Sequence, residues 1–257
     1  MSDLRLVLHQ FRYEQKTFRR DSAAVFFTVL LPVVFLVIFA TVFGNETLDS
    51  RDIKLSTYYV PGIVALQIVS ATFVALAINL TTLRERGTLK RLRGTPVPAW
   101  VFVAGQIGNA LVVAFLATVV LVALGRILYG VAIPGSTLPG VVVTLVLGAA
   151  AFSALGIALT AVIPTANSAP AITNALVLPL YFISGIFFPV EDAPGWLTTV
   201  ASLFPVAHLA EALLTAFDPA TDGLGFAPRH LGVLALWGAV GTIVAVRAFR
   251  WTARAGT

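Results

Sequence analysis

The side chains that most often perform chemistry are few in this chain, and their spacing builds no catalytic constellation. Cysteine is absent, so neither a disulfide framework nor a thiolate metal site is possible. The three histidines, His9, His208 and His230, are scattered along the sequence. His208 lies one helical turn before Glu211, a spacing that can serve a metal, but no third ligand is in sight. We therefore expect this pair to be capped or exposed to solvent, and we expect no metal site.

The densest group of charges is a short segment between two long apolar stretches. The sequence LRERGTLKRLRGTPVP occupies residues 83–98 and holds six charged residues within ten positions. They are Arg84, Glu85, Arg86, Lys90, Arg91 and Arg93. Residues 55–83 before them and residues 94–125 after them carry no charge at all. The role of this segment depends on what the apolar stretches are.

Composition places the chain among membrane proteins. Of its 257 residues 58% are hydrophobic and 11% are charged, and the mean hydropathy is +0.92. A spanning helix needs about 20 mostly apolar residues, and runs of that length recur. Turn-forming clusters at residues 133–140 and 164–170 divide the longest run. We predict a single domain with an all-α polytopic membrane fold and six transmembrane helices, at about residues 23–43, 57–83, 99–125, 141–163, 171–188 and 231–249.

The distribution of charge predicts how the spans are oriented. Residues 1–21, residues 84–98 and the tail from residue 247 hold 13 of the 17 Lys and Arg residues, but only four of the 12 acids. Basic residues collect on the cytoplasmic side of a membrane. We therefore expect both termini and residues 84–98, called the basic loop below, to be cytoplasmic. The first apolar run exceeds a signal-peptide core and lacks a cleavage site, so we expect an uncleaved span.

Two segments outside the spans are also patterned. Residues 1–21 predict an interfacial helix with adjacent apolar and basic stripes, although a solvated lead-in is the alternative. The stripes consist of Leu4, Leu8, Phe11 and Phe18, and of Arg5, Arg12, Lys16 and Arg19. Residues 189–230 contain two apolar helical pieces separated by Pro205, each too short to cross a bilayer. We predict that they form a re-entrant or interfacial hairpin on the outer side.

The basic loop itself predicts a short helix. Thr88 is placed to cap it and Gly94 to end it, while Glu85 has no basic residue three or four positions later. One face would carry Arg86, Lys90 and Arg93, and another Leu89 and Leu92. From these residues alone, docking into a partner protein and anchoring to anionic lipid remain equally open.

A resemblance favours docking. The sequence RERGTLKRLRGTPVP resembles the signature of type-2 ABC exporter permeases, especially the daunorubicin and antibiotic-resistance branch. The segment YFISGIFFPVEDAPGWLTTVASLFPVAHLAEALLTAF resembles the fifth span and outer hairpin of the same family. In that family this loop couples the permease to a separate ATP-binding subunit. The resemblance implies that the contact is formed by Glu85, Arg86, Gly87, Thr88, Leu89, Lys90, Arg91 and Leu92.

The resemblance also implies partners and a location. Family members assemble two permease chains with two ATPase chains, so we expect a second, identical permease chain in a bacterial plasma membrane. This sequence has no G-x-x-x-x-G-K-[ST] phosphate cradle, so ATP and Mg would bind on the ATPase and this chain would carry no cofactor. Membrane lipid is an expected partner, and nucleic acid is not.

The family likeness makes the second and fifth spans the walls of a transport path. The candidate path residues are Gln67, Ser70, Val74, Asn174, Leu178 and Tyr181, although Gln67 and Asn174 could equally bond neighbouring helices. The candidate residues of the outer hairpin and gate are Phe187, Phe188, Pro189, His208 and Glu211. A path this poor in charge suits a hydrophobic or amphipathic cargo such as a drug, an antibiotic or a lipid. Export of a polysaccharide or glycolipid is the alternative.

Two other classes of function are disfavoured by the residues. An ion-coupled secondary transporter would place an ionisable group within a span, and no acid lies in a core span here. A membrane enzyme would need a convergent polar set, and the acids and histidines of the outer segments have no recognisable spacing.

Overall fold

The computed structural model describes residues 3–48, 52–94, 98–189 and 193–249, and it confirms the all-α fold. Within this described part the only strands form a two-residue antiparallel hairpin. The elements in chain order are α1 (Asp3–Arg20), α2 (Ser22–Val42), β1 (Thr47–Leu48), β2 (Ile53–Lys54), α3 (Leu55–Glu85), α4 (Thr88–Arg93), α5 (Ala99–Tyr129), α6 (Leu138–Leu159), α7 (Ala169–Ile183), α8 (Gly195–Ala201), α9 (Pro205–Phe217) and α10 (Pro228–Ala248).

Among the described residues, five helices are long and apolar enough to cross a membrane: α2, α3, α5, α6 and α10. The 15-residue α7 is about 22 Å long at 1.5 Å per residue, which is less than the hydrocarbon thickness of about 30 Å. It ends at Ile183, before the predicted end of the fifth span at residue 188, because Gly185 takes a left-handed conformation with φ of 74°. The helices α8 and α9 meet at 95°, a geometry that fits either one broken span or the predicted re-entrant hairpin.

The helix α3 is the centre of the bundle. Its first half is apolar on every side and almost completely buried, with Ile63, Val64 and Ile68 inaccessible to solvent. A helix without a polar face is expected in the interior of a bundle. It packs against α2, α5, α6 and α9, so its two ends are held by the rest of the chain.

Two spanning helices contain one turn of π-helix each. These turns are Phe26–Leu30 in α2 and Ser70–Val74 in α3. A π-turn accommodates an extra residue and changes which side chains face each neighbour, so regular helical spacing does not predict the faces beyond it. In α3 this change begins at Ser70, which is one of the predicted path residues.

The bundle has two different ends. The end that carries α1 and the basic loop is called the loop end below, and the end that carries α8 and α9 is called the hairpin end. At the loop end α1 packs along α5, with Gln10 against Gly105 and Phe11 against Gly108. Glu14 lies in this contact, only 4% exposed, and accepts a 2.6 Å hydrogen bond from Gln10 Nε2. Burial raises the pKa of the Glu14 carboxyl, and hydrogen bonds from amide side chains oppose that change.

Candidate functional site

The basic loop turns at a glycine. Gly87 precedes α4 with φ of 69° and ψ of 9°, a left-handed conformation that glycine adopts without steric cost. Its N–H donates to the carbonyl oxygen of Arg84 at 3.1 Å. The prediction that Thr88 caps the helix is wrong, because Gly87 occupies the N-cap position and Thr88 is already the first helical residue. Gly94 follows the last residue of α4, as predicted.

The apolar side of α4 faces its own bundle. Leu89 is completely buried in a cluster with Leu80, Phe102 and Ile157, and Leu92 packs against the same cluster. The side chain of Leu89, predicted to contact a partner, has no exposed surface in this chain. Burying a leucine stabilises the folded chain by roughly 1.5–3 kcal/mol. Leu89 and Leu92 thus fix the position of the loop on the bundle.

The outward side of the basic loop is charged. Glu85, Arg86, Lys90 and Arg91 are exposed, whereas Gly87, Thr88 and Leu92 are half-buried. Arg91 Nη2 donates to the carbonyl oxygen of Arg86 at 3.2 Å, which ties the beginning of the loop to α4. The side chain of Arg93, predicted to share the basic face, and residues 95–97 lie outside the described part of the chain.

Arg84 connects the end of α3 to the end of α6. It is 5% exposed, and its Nη1 and Nη2 donate to the carbonyl oxygens of Thr160 at 2.7 Å and Ile163 at 2.6 Å. The last carbonyl groups of a helix have no partner within the helix, and the helix dipole favours a cation beside them. Arg84 therefore satisfies two buried carbonyl groups just beyond the last residue of α6 and offsets the partial negative charge at that helix end.

Glu85 binds the turn that follows. Its Oε2 accepts a 2.5 Å hydrogen bond from the backbone N–H of Ala166, between α6 and α7. Glu85, which has no basic residue three or four positions later, therefore has its partner on a distant segment instead. The turn is ordered further by Thr165 and Ser168, whose hydroxyl oxygens are 3.0 Å apart. The contacts of Arg84 and Glu85 with residues 160–166 are called the Arg84–Glu85 clamp below.

Sequence reasoning missed this clamp because its two sides are about eighty positions apart in the chain. A signal was nevertheless present. The turn at residues 164–170 has no charged residue and follows directly on a span, so the carbonyl and N–H groups at that end needed partners from elsewhere. Arg84 and Glu85, an adjacent base and acid at the end of another span, could have been assigned to them.

The predicted path residues are only partly brought together. Ser70 Oγ and the Tyr181 hydroxyl oxygen are 3.2 Å apart, and the Tyr181 hydroxyl also donates to the carbonyl oxygen of Leu66 at 3.4 Å. This contact joins α3 to α7 at the π-turn. Gln67 is completely buried, and neither polar atom of its side chain has a hydrogen-bond partner among the described residues.

The predicted wall on α7 divides into two surfaces. The buried stripe of α7 consists of Ala169, Thr173, Val177 and Tyr181, which recur every four residues. Asn174 and Leu178 lie one position beyond this stripe and are exposed, Leu178 by 50%. Val74, in the π-turn of α3, is half-buried. Within one chain, therefore, Tyr181 faces the core while Asn174 and Leu178 face outward.

Aromatic packing organises the hairpin end. Phe187 is 4% exposed and stacks on Phe39, with ring centroids 5.2 Å apart and planes 27° apart. Phe188 is 53% exposed, and Pro189 is half-buried. The Tyr58 hydroxyl donates to the carbonyl oxygens of Gly185 and Phe188, so the segment after α7 is fixed to α3.

The histidine in the hairpin is buried. His208 is 5% exposed and Glu211 is half-buried, so of the two expected arrangements, capped or exposed to solvent, the solvent-exposed one is wrong. His208 Nδ1 lies 2.9 Å from His230 Nδ1, and its Nε2 lies 2.9 Å from the Ser202 carbonyl oxygen. Because a carbonyl only accepts, Nε2 carries the hydrogen. The described residues contain no group of three His, Cys, Asp or Glu side chains that could hold a metal ion.

Comparison with known families identifies the chain. Residues 6–217 match the family model described as ABC-2 type transporter, a region from α1 through α9. The chain belongs to the ABC-2 type transporter family. In this ABC-2 transporter chain the basic loop, the clamp and the hairpin all lie within the matched region, and α10 lies beyond it.

The ABC-2 transporter chain resembles several named permeases. It is 34% identical over 189 residues to the daunorubicin resistance ABC transporter permease protein DrrB1 of Streptomyces coeruleorubidus, covering 72% of this chain and 65% of that protein. It is 25% identical over 154 residues to the probable multidrug ABC transporter permease YbhR of Escherichia coli K12, covering 60% of this chain and 42% of that protein. The putative transport permease YvfS of Bacillus subtilis 168 is 23% identical over 195 residues, covering 76% of this chain and 78% of that protein. The chain thus matches less than two thirds of the length of the first two relatives.

Proposed function

We propose that this chain is the transmembrane permease subunit of an ATP-driven exporter. Its cargo is a hydrophobic or amphipathic molecule, such as a drug, an antibiotic or a lipid. Two copies of a separate ATP-binding subunit bind the ATP and Mg, and two identical permease chains form the path. The assembly lies in a bacterial plasma membrane with both permease termini in the cytoplasm.

The observation that carries this proposal is the construction of the basic loop. Leu89 and the Arg84–Glu85 clamp hold the loop against the bundle, while Arg86, Lys90 and Arg91 remain exposed. An anchor to lipid headgroups needs positive charge but no fixed geometry. A surface that receives a mechanical displacement from a partner must be attached firmly to the spans that move. The structure of the loop meets that second requirement.

The clamp also gives the displacement a route. Through Arg84 and Glu85 the end of α3 is bonded to the turn between α6 and α7. Farther along, α3 and α7 meet again at Ser70 and Tyr181. A shift of the basic loop would therefore reach both helices that the family likeness makes walls of the path. Chains of hydrogen bonds and packed helices of this kind can carry coupling between two sites.

The nature of the cargo rests on charge and on the relatives. The spanning helices carry few charged residues, so the path offers little to a highly charged molecule. The relatives are named for daunorubicin resistance and for multidrug transport. Export of a polysaccharide or glycolipid stays the alternative, and direct transport assays with a lipophilic dye and with a glycolipid distinguish the two.

Charge reversal in the basic loop tests the ATPase partnership. Tagged chains are purified from their own membranes in lipid nanodiscs, and co-purifying proteins with a G-x-x-x-x-G-K-[ST] motif are identified by mass spectrometry. If the ATPase surface that receives Arg86 and Lys90 is acidic, as charge complementarity requires, Arg86→Glu combined with Lys90→Glu should lose that subunit, because like charges then face each other across the contact. The control is Arg126→Glu, a single charge reversal at an exposed residue of the hairpin end. Equal recovery of the ATPase from all three proteins would contradict the proposal.

A further inference from the structure

A groove of about 450 Å³ lies between α1 and α5 at the loop end. It is separate from the basic loop, from the α3–α7 contact and from the hairpin. Its lining consists of Phe11, Arg12, Gln15, Lys16, Arg19 and Arg20 on α1, and of Val112 and Leu116 on α5. The combination of a basic side and an apolar side in one groove calls for a ligand with both properties.

The basic side has no anionic partner within the groove. Arg12, Lys16, Arg19 and Arg20 are all exposed, and none of the described residues that line the groove is acidic. Lys16 lies four positions from both Arg12 and Arg20, a spacing at which like charges on a helix repel each other. An anion in the groove would relieve this repulsion.

The apolar side belongs to a spanning helix. Leu116 is 51% exposed and Val112 is half-buried, and both lie in α5, which is long enough to cross the membrane. The groove therefore continues from a charged helix onto a hydrocarbon-facing surface. A small hydrophilic anion would gain no stabilisation from contact with that apolar surface, whereas an acyl chain would pack along it.

Gln15 adds a polar group that lacks a partner. The side chain lines the groove, and its Nε2 is buried without a hydrogen-bond acceptor among the described residues. An unmet buried donor destabilises the folded state. A phosphate oxygen or an ester carbonyl oxygen in the groove would supply the missing acceptor.

We propose that this groove binds one anionic phospholipid. The phosphate lies among Arg12, Lys16 and Arg19, Gln15 donates to the phosphate or to an ester carbonyl oxygen, and one acyl chain lies along Val112 and Leu116. An acidic peptide would satisfy the basic side alone. The lipid uses both sides, and it holds α1 against α5 irrespective of which molecule is transported.

Native mass spectrometry measures this binding directly. The purified chain, stripped of lipid in a neutral detergent, is mixed with equal amounts of phosphatidylglycerol and phosphatidylcholine. We expect one phosphatidylglycerol to bind preferentially. The variant Arg12→Gln, Lys16→Gln, Arg19→Gln should bind it about a hundredfold more weakly, because each basic residue near an anionic lipid contributes about fivefold.

A matched variant controls for overall charge. Arg86→Gln, Lys90→Gln, Arg91→Gln removes the same charge from exposed residues at the same end, and it should keep the lipid. Equal loss of lipid from the two triple variants would mean that only net charge matters, and the proposal would be wrong. Wild-type protein without a preference for phosphatidylglycerol would also overturn it.

A competition experiment separates a lipid from a free phosphate. Dihexanoyl phosphatidylglycerol should displace the bound lipid, whereas millimolar glycerol phosphate should not, since it lacks acyl chains. The variant Leu116→Asn changes an exposed residue without altering charge, so it should fold normally and weaken lipid binding several-fold. Displacement by glycerol phosphate at the same concentration as by the lipid, or full binding by Leu116→Asn, would refute the lipid assignment.

Discussion

Glu85 accepts a 2.5 Å hydrogen bond from the backbone N–H of Ala166, so the first exposed residue of the basic loop is bonded to the turn before α7. Its neighbour Arg84 binds the end of α6 from the same point of the chain. One pair of adjacent side chains thereby connects three helices, α3, α6 and α7. In this family member the loop is a fixed part of the bundle, and the predictions below follow from that attachment.

Replacement of Arg84 tests the clamp. Arg84→Met leaves the carbonyl oxygens of Thr160 and Ile163 without their donors, and we expect the free energy of unfolding to fall by about 2–4 kcal/mol. Arg84→Lys keeps the charge but has one nitrogen in place of two, so it should restore only part of the loss. Thermal unfolding in detergent measures both. Wild-type stability in Arg84→Met would show that the Arg84 half of the clamp contributes nothing to stability.

Truncation of Leu89 tests whether the apolar side of α4 faces its own bundle or a partner. Because Leu89 is completely buried among Leu80, Phe102 and Ile157, Leu89→Ala should lower the free energy of unfolding by about 2–5 kcal/mol. Lys90→Ala, at the exposed neighbouring position, is the control and should change it by less than about 0.5 kcal/mol. If Leu89→Ala were as stable as the control and only partner binding were weakened, the apolar side of α4 would face the partner.

The buried carboxyl of Glu14 predicts a pH dependence of stability. Burial raises its pKa above the ordinary value of 4.5, so the folded chain binds a proton more readily than the unfolded chain. The stabilisation is complete below the unfolded-state pKa and is lost as the pH rises through the folded-state pKa. Glu14→Gln should lack this decline in thermal unfolding measured from pH 4 upward. Parallel pH profiles for the two proteins would contradict the assignment.

The proposed orientation is tested by cysteine labelling, which the absence of native cysteine makes direct. Asp222→Cys at the hairpin end should react with a membrane-impermeant thiol reagent in intact cells. Gly94→Cys beside α4 should react only after the membrane is opened, because it would lie on the cytoplasmic side. Both positions are exposed on the protein surface, so burial would not explain a difference between them. The opposite pattern would reverse the orientation.

The sequence was sufficient for the fold class because hydropathy depends on composition and length alone. It also located Gly94 at the end of α4, because glycine signals helix ends locally. It failed at contacts between distant segments, such as the clamp from Arg84 to Ile163. The pairing of His208 with His230 was missed for the same reason, since 22 positions separate them.

The environment of the predicted path residues could not be derived from helical spacing either. Asn174, Leu178 and Tyr181 are four and three positions apart, so on an ideal helix they lie on one face. The environment of α7 changes along its length, however, so Tyr181 is bonded to Ser70 while Asn174 is exposed. The π-turn at Ser70–Val74 alters the opposing face of α3, and no residue pattern announces a π-turn.

The central claim is that the exposed side of the basic loop contacts an ATP-binding subunit, and cross-linking tests it most directly. A photoreactive phenylalanine derivative is placed at Lys90 and, as the control, at Arg126, and both chains are irradiated in their own membranes. We predict a cross-linked product from position 90 whose partner peptides come from a protein with a G-x-x-x-x-G-K-[ST] motif, and no such product from position 126. Cross-linking of position 90 to lipid alone would contradict the account and make the loop a membrane anchor.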